Sequence, residues 1–70
     1  MTTRFPSVDI SMAHPDTGEP TTGTSVDYFM RAGRYVGFVV EFGEGDRRKM
    51  TFEEIRQLQD AVMEKAYESV

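Results

Sequence analysis

The spacing of apolar residues changes period at Met50-Thr51-Phe52-Glu53-Glu54-Ile55, and that change constrains the fold more than any other stretch. Thr51 has the chemistry of an N-cap, and Glu54 three residues later completes a capping box. Met50 before the cap and Ile55 after it are placed to form a hydrophobic staple. At about 100° per residue, Ile55, Leu58, Val62 and Ala66 share one face, flanked by Phe52, Met63 and Val70. Glu53, Gln57, Asp60, Glu64 and Glu68 line the opposite face. The spacing therefore predicts a helix over 52–68 with a defined start and a defined buried side.

Upstream, the period is two. Ser7-Val8-Asp9-Ile10-Ser11-Met12 alternates polar and apolar, as a half-buried strand over 7–12 does. Residues 13–24 hold His14-Pro15-Asp16-Thr17-Gly18, a turn signal, and then Glu19-Pro20-Thr21-Thr22-Gly23-Thr24 with no large apolar side chain. They predict an exposed loop. Residues 25–32 fit a strand with Val26, Tyr28 and Met30 on one face, or a short helix between Ser25 as N-cap and Gly33; aromatic and β-branched content favours the strand. Residues 34–42 predict a central strand, with Val36, Phe38, Val40 and Phe42 turned to the helix and Tyr35, Gly37, Val39 and Glu41 turned away. Gly43-Glu44-Gly45-Asp46 is a turn, and 47–50 returns as a short strand. The expected architecture is α+β: a small antiparallel meander of three to four strands in one domain, with one C-terminal amphipathic helix on one face.

Size sharpens this expectation. Seventy residues lie near the lower limit for one hydrophobic core, which at this size supplies about 3–5 kcal/mol. The absence of cysteine removes disulfides and thiolate zinc sites together, and the single His14 argues against a histidine metal site. Packing and self-association remain, so a homodimer is expected. No run of 18 apolar residues occurs, and Met1-Thr2-Thr3-Arg4-Phe5-Pro6 lacks a signal-peptide core, so a cytoplasmic protein is expected. A net charge of −4 argues against nucleic acid and anionic membranes as partners.

Candidate chemistry is sparse. Asp16-Thr17-Gly18 matches the short signature of aspartic proteases, but the apolar strand that presents it there is replaced here by Ala13-His14-Pro15; a turn explains it better. His14 before proline lacks a second ligand or a local nucleophile. The turn at 43–46 carries acids that repel phosphate, and it lacks the spaced ligands of a calcium loop. Arg47-Arg48-Lys49 fits a charged edge strand. No enzyme, metal or cofactor is therefore expected.

Two surfaces remain. The sheet face away from the helix carries Tyr28 or Phe29, Tyr35 and Val39 in this reading, rimmed by Arg34, Arg47 and Arg48, and suits a protein partner, above all a second copy. The alternative is the acidic helix face of Asp60, Glu64 and Glu68, which suits an inhibitor that occupies a basic nucleic-acid-binding surface of a host protein. A short, cysteine-free, acidic chain of one sheet and one helix is similar in general character to many small accessory proteins of bacteria and their phages. That likeness carries no motif and assigns no residue.

Overall fold

Residues 6–68 are described by a computed structural model, Glu68 by its backbone alone. Four strands, β1 (Val8–Ala13), β2 (Pro20–Arg31), β3 (Arg34–Glu41) and β4 (Arg47–Thr51), precede one helix, α1 (Phe52–Glu68). The strands form an antiparallel meander in the order β1-β2-β3-β4, with α1 packed on one face. This is the α+β architecture expected from the change of period.

The helix begins as its sequence dictates. Thr51 Oγ1 accepts from the Glu54 amide at 3.2 Å, and Glu54 Oε1 accepts from the Thr51 amide at 3.2 Å and from the Thr51 hydroxyl at 3.0 Å. Met50 and Ile55 are both buried, so the staple closes around the cap. Ile55 and Leu58 reach the sheet, whereas Ala66 is exposed, because the second half of α1 runs out over the β1–β2 turn beside Glu19 and Pro20. Val70 lies outside the described residues.

Residues 20–24 are not loop. β2 begins at Pro20 and pairs with β1 from Ala13↔Pro20 to Val8↔Ser25, which leaves only 14–19 as the turn. The β-branched threonines suit a pleated surface without large apolar groups. Gly23 is buried under the core: a Cβ there would lie 2.5 Å from Val40 Cγ1 and 2.9 Å from Phe42 Cε1. Absence of bulk at this position is a packing requirement. The 14–19 turn is closed by His14 N to Glu19 O and Gly18 N to His14 O, both 2.8 Å, with Gly18 at φ 73°.

Residues 25–31 are strand, and β2 turns into β3 through Ala32 and Gly33, whose φ values of 53° and 76° are the positive pair that a type I′ hairpin needs. Two bulges interrupt the β2–β3 ladder. Ser25 pairs with Val40 and Asp27 with Val39, leaving Val26 extra; Phe29 pairs with Gly37 and Met30 with Tyr35, leaving Val36 extra. Each bulge shifts which residues share a face.

The core is small. Met12, Val40, Phe42, Met50 and Ile55 are buried together, and Ile10, Phe38 and Leu58 pack against them. Val36, the extra residue of the second bulge, is outside this cluster.

Candidate interaction surface

The bulges decide where the aromatic side chains go. Strict alternation places Tyr35 on the face away from α1, together with Val39. The extra residue at Val36 returns Tyr35 to the face that bears α1, opposite Met30 and against Tyr28, with ring centroids 4.7 Å apart. Tyr28 pairs with Phe38, ring centroids 6.3 Å apart, and Phe38 meets Phe52 of α1 edge-on at 5.1 Å. A line of rings, Tyr35–Tyr28–Phe38–Phe52, thus runs from the hairpin tip to the first turn of the helix. Beside it lies a shallow groove of about 390 Å³ lined by Pro6, Val8, Ile10, Ser25, Tyr28 and Phe38. Its polar floor is satisfied: buried Ser25 Oγ accepts from Val8 N at 3.1 Å and donates to Val8 O at 3.2 Å.

The exposed large apolar side chains among the described residues are Val8, Tyr28, Met30, Tyr35, Phe52, Met63 and Tyr67. All seven belong to the side that carries α1. Val8 and Tyr28 line the groove, and Met30, Tyr35 and Phe52 stand along the adjoining line of rings, while Met63 and Tyr67 stand on the second half of the helix.

The opposite face is polar and internally paired. Thr24 Oγ1 donates to Asp9 Oδ1 at 3.0 Å, and Arg47 Nε donates to Glu41 Oε2 at 2.7 Å. Phe29, half-buried there, lies under Arg31 and Lys49, whose charged groups sit 5.3 and 5.9 Å from its ring centroid. Val39 pairs with Lys49 on this face.

The surface expected from strict alternation therefore divides. Tyr28 and Tyr35 come together on the helix-bearing side, Val39 is on the other, and Arg34 flanks the hairpin turn opposite Arg31. Arg47 is held by Glu41. Arg48 leaves the rim altogether: its Nη1 and Nη2 donate to Asp16 Oδ1 and Oδ2 at 2.8 and 2.6 Å, and its Nε donates to Asp46 Oδ1 at 3.1 Å. The guanidinium ties the 14–19 turn to the 43–46 turn. Hydrogen bonding to Arg48 lowers the Asp16 pKa, and hydrogen bonding to Asp16 and then Asp46 raises that of Arg48.

His14 belongs to the same clasp. Its ring packs on Phe42 at 5.1 Å, Nδ1 accepts from the Asp16 amide at 3.1 Å, and Nε2 stands 3.7 Å from Asp46 Oδ2. Asp16, the acid of the Asp-Thr-Gly tripeptide, thus faces an arginine. Among the described residues no group of three His, Cys, Asp or Glu side chains is placed to hold a metal ion.

On α1, Asp60 and Glu64 are exposed as their spacing requires; the Glu68 side chain lies outside the described residues. Phe38, Phe52, Val8 and Met30 join the surface without having been expected there. No local sequence signal marks this gathering, because the slips of alternation at Val26 and Val36 arise from the pairing of β2 with β3. No helix among the described residues is long and apolar enough to cross a membrane. No protein-family model matches the chain, and no curated protein or solved structure matches it either.

Proposed function

We propose that this protein is a non-enzymatic interaction module that self-associates through the aromatic surface on its helix-bearing side. One observation carries the reading: the seven exposed large apolar side chains of the described residues fall on that side, while the opposite face pairs its own charges. Apolar groups gathered on one side of a small protein mark a binding surface more often than a monomer's skin. A second copy is the occupant that also relieves the shortage of core in so short a chain. Asp16 and His14, the residues with catalytic resemblance, act in this reading as parts of the Arg48 clasp.

Molar mass by light scattering over a hundredfold range of concentration tests it. The unmodified chain should give twice 8.0 kDa, and Tyr35→Ala should give the monomer mass with an unchanged far-ultraviolet spectrum. Tyr35 is 59% exposed, so its truncation removes little intrachain packing. A monomer at every concentration, or a Tyr35→Ala dimer as tight as the unmodified one, refutes the reading.

A further inference from the structure

The self-association just proposed leaves open which part of the second copy enters the groove, and the flank of α1 answers that question. Phe52 and Met63 are eleven residues apart, three turns that bring them within about 20° of each other around the helix axis. Arg56, Gln59 and Asp60 lie between them on the same flank, and Tyr67 follows Met63 by one turn. Arg56, Gln59, Asp60 and Met63 also border a cleft at Ser11 on the β1 edge, next to Ile10, which lines the groove.

The flank has two unlike ends and a charged centre. At one end Phe52 meets Phe38, which lines the groove. At the other, Met63 and Tyr67 are 57% and 76% exposed on a helix segment that has run off the sheet. At the centre stand Arg56 and Asp60, both exposed; among the described residues neither side chain takes a hydrogen bond or an ion pair within the chain. The other strongly placed charges, Arg47, Arg48, Asp16 and Glu41, are engaged.

We infer that the groove receives the second half of α1 from a second copy, in a two-fold arrangement with the two helices antiparallel along this flank. A two-fold contact repeats every interaction in both directions. Antiparallel helices that set position 56 beside 60 of the partner copy set 52 beside 64, between Met63 and Tyr67. The arrangement seats Tyr67 and Met63 of each copy against Phe52, Tyr28 and Val8 of the other. It also brings Arg56 of each copy to Asp60 of the other, so one (i, i+4) pair of opposite charge becomes two intermolecular ion pairs. Charge complementarity of this kind fixes register and excludes the parallel arrangement, in which Arg56 would face Arg56.

The test is charge exchange, read by sedimentation equilibrium. Arg56→Glu alone puts two acids together, and Asp60→Arg alone puts two guanidinium groups together. Each should raise the dissociation constant by roughly tenfold or more. The chain carrying both substitutions should regain the unmodified affinity. An equimolar mixture of the two single variants should form a heterodimer of that same affinity, because one of its two intermolecular contacts then pairs the original Arg56 and Asp60 and the other pairs their exchanged charges. Both substituted positions are solvent-facing, and matching thermal melts for the variants at high dilution establish that folding is intact. Single variants that dimerise like the unmodified chain, or weakened variants that neither the double substitution nor the mixture restores, overturn the inference. If Tyr35→Ala still abolishes a dimer that the charge changes leave alone, self-association through the aromatic surface stands and only this docking mode falls. A monomeric unmodified chain removes both.

Discussion

Gly23→Ala is the sharpest probe of how this core is closed. The new methyl would lie 2.5 Å from Val40 Cγ1 and 2.9 Å from Phe42 Cε1, against a comfortable carbon–carbon separation of about 3.5–4.0 Å. Overlap of about 1 Å with two core side chains forces them off their rotamers, at a cost of about 1–3 kcal/mol. Replacing glycine restricts the unfolded chain and returns about 0.4–1 kcal/mol. The net destabilisation is then about 1–2 kcal/mol, which at roughly 4–8 °C per kcal/mol for a domain of this size is a clear fall in Tm. Val40→Ala is also destabilising by itself, since Val40 is fully buried and its truncation leaves a cavity. Combined, the two should compensate: the methyl introduced at position 23 occupies the space that Val40 vacates. Thermal melts followed by far-ultraviolet circular dichroism on the four chains give the coupling directly, and it should reach about 1 kcal/mol in the favourable sense. Strict additivity, or a Gly23→Ala chain as stable as the original, would refute the claim that Gly23 is there to admit Val40 and Phe42.

Ala32 occupies a left-handed position at φ 53° in the β2–β3 turn, a conformation that costs an L-residue with a Cβ about 1–2 kcal/mol. Ala32→Asn should therefore raise Tm by a few degrees, and a lower Tm would mean the turn is not strained. The Asp16–Arg48 pair predicts a pH effect with a definite sign. The folded-state pKa of Asp16 is depressed below 3.8 by the hydrogen bonds from Arg48, so its contribution is complete above the unfolded value and is lost as pH falls through the folded one. Urea midpoints measured from pH 5 downward should decline below about pH 4, and Asp16→Asn should flatten that decline. An identical pH profile for the substituted chain would count against the clasp.

What the sequence displayed depended on how local the cause was. The start of α1 was legible because the capping box and the staple are complete within Met50–Ile55. The outward charges of the helix followed from the same period. Residues 20–24 were illegible for the opposite reason. Their strand character rests on pairing with β1 and on the need for a glycine beneath Val40 and Phe42, and both are contacts distant in sequence. At Ala32-Gly33 the hairpin lacked the Asn-Gly signature that usually announces it. Strict alternation misplaces Tyr35 on the face of Val39, because a bulge is a property of two strands. Val36 carries no local mark that it will be the unpaired residue, yet its insertion reverses the sides on which Tyr35 and Arg34 are presented.

That reversal links the small core to the proposed function. Strict alternation would divide the apolar residues between two faces, leaving each with too few to bury. The bulges at Val26 and Val36 instead bring Tyr28, Met30 and Tyr35 to the side where Phe38, Met12, Val40, Phe42 and Met50 already meet α1. The helix crosses only part of that side and carries Met63 and Tyr67 past it, so one part of the apolar surface is core and the other faces solvent. Fully burying one large apolar side chain is worth roughly 1.5–3 kcal/mol, so two or three buried per copy in a dimer match the about 3–5 kcal/mol that a core of this size supplies. Folding and association are then linked equilibria. On this proposal the stability of Gly23→Ala and of its companions is compared at one chain concentration, because dilution of the proposed dimer would lower Tm by withdrawing the second copy from the groove.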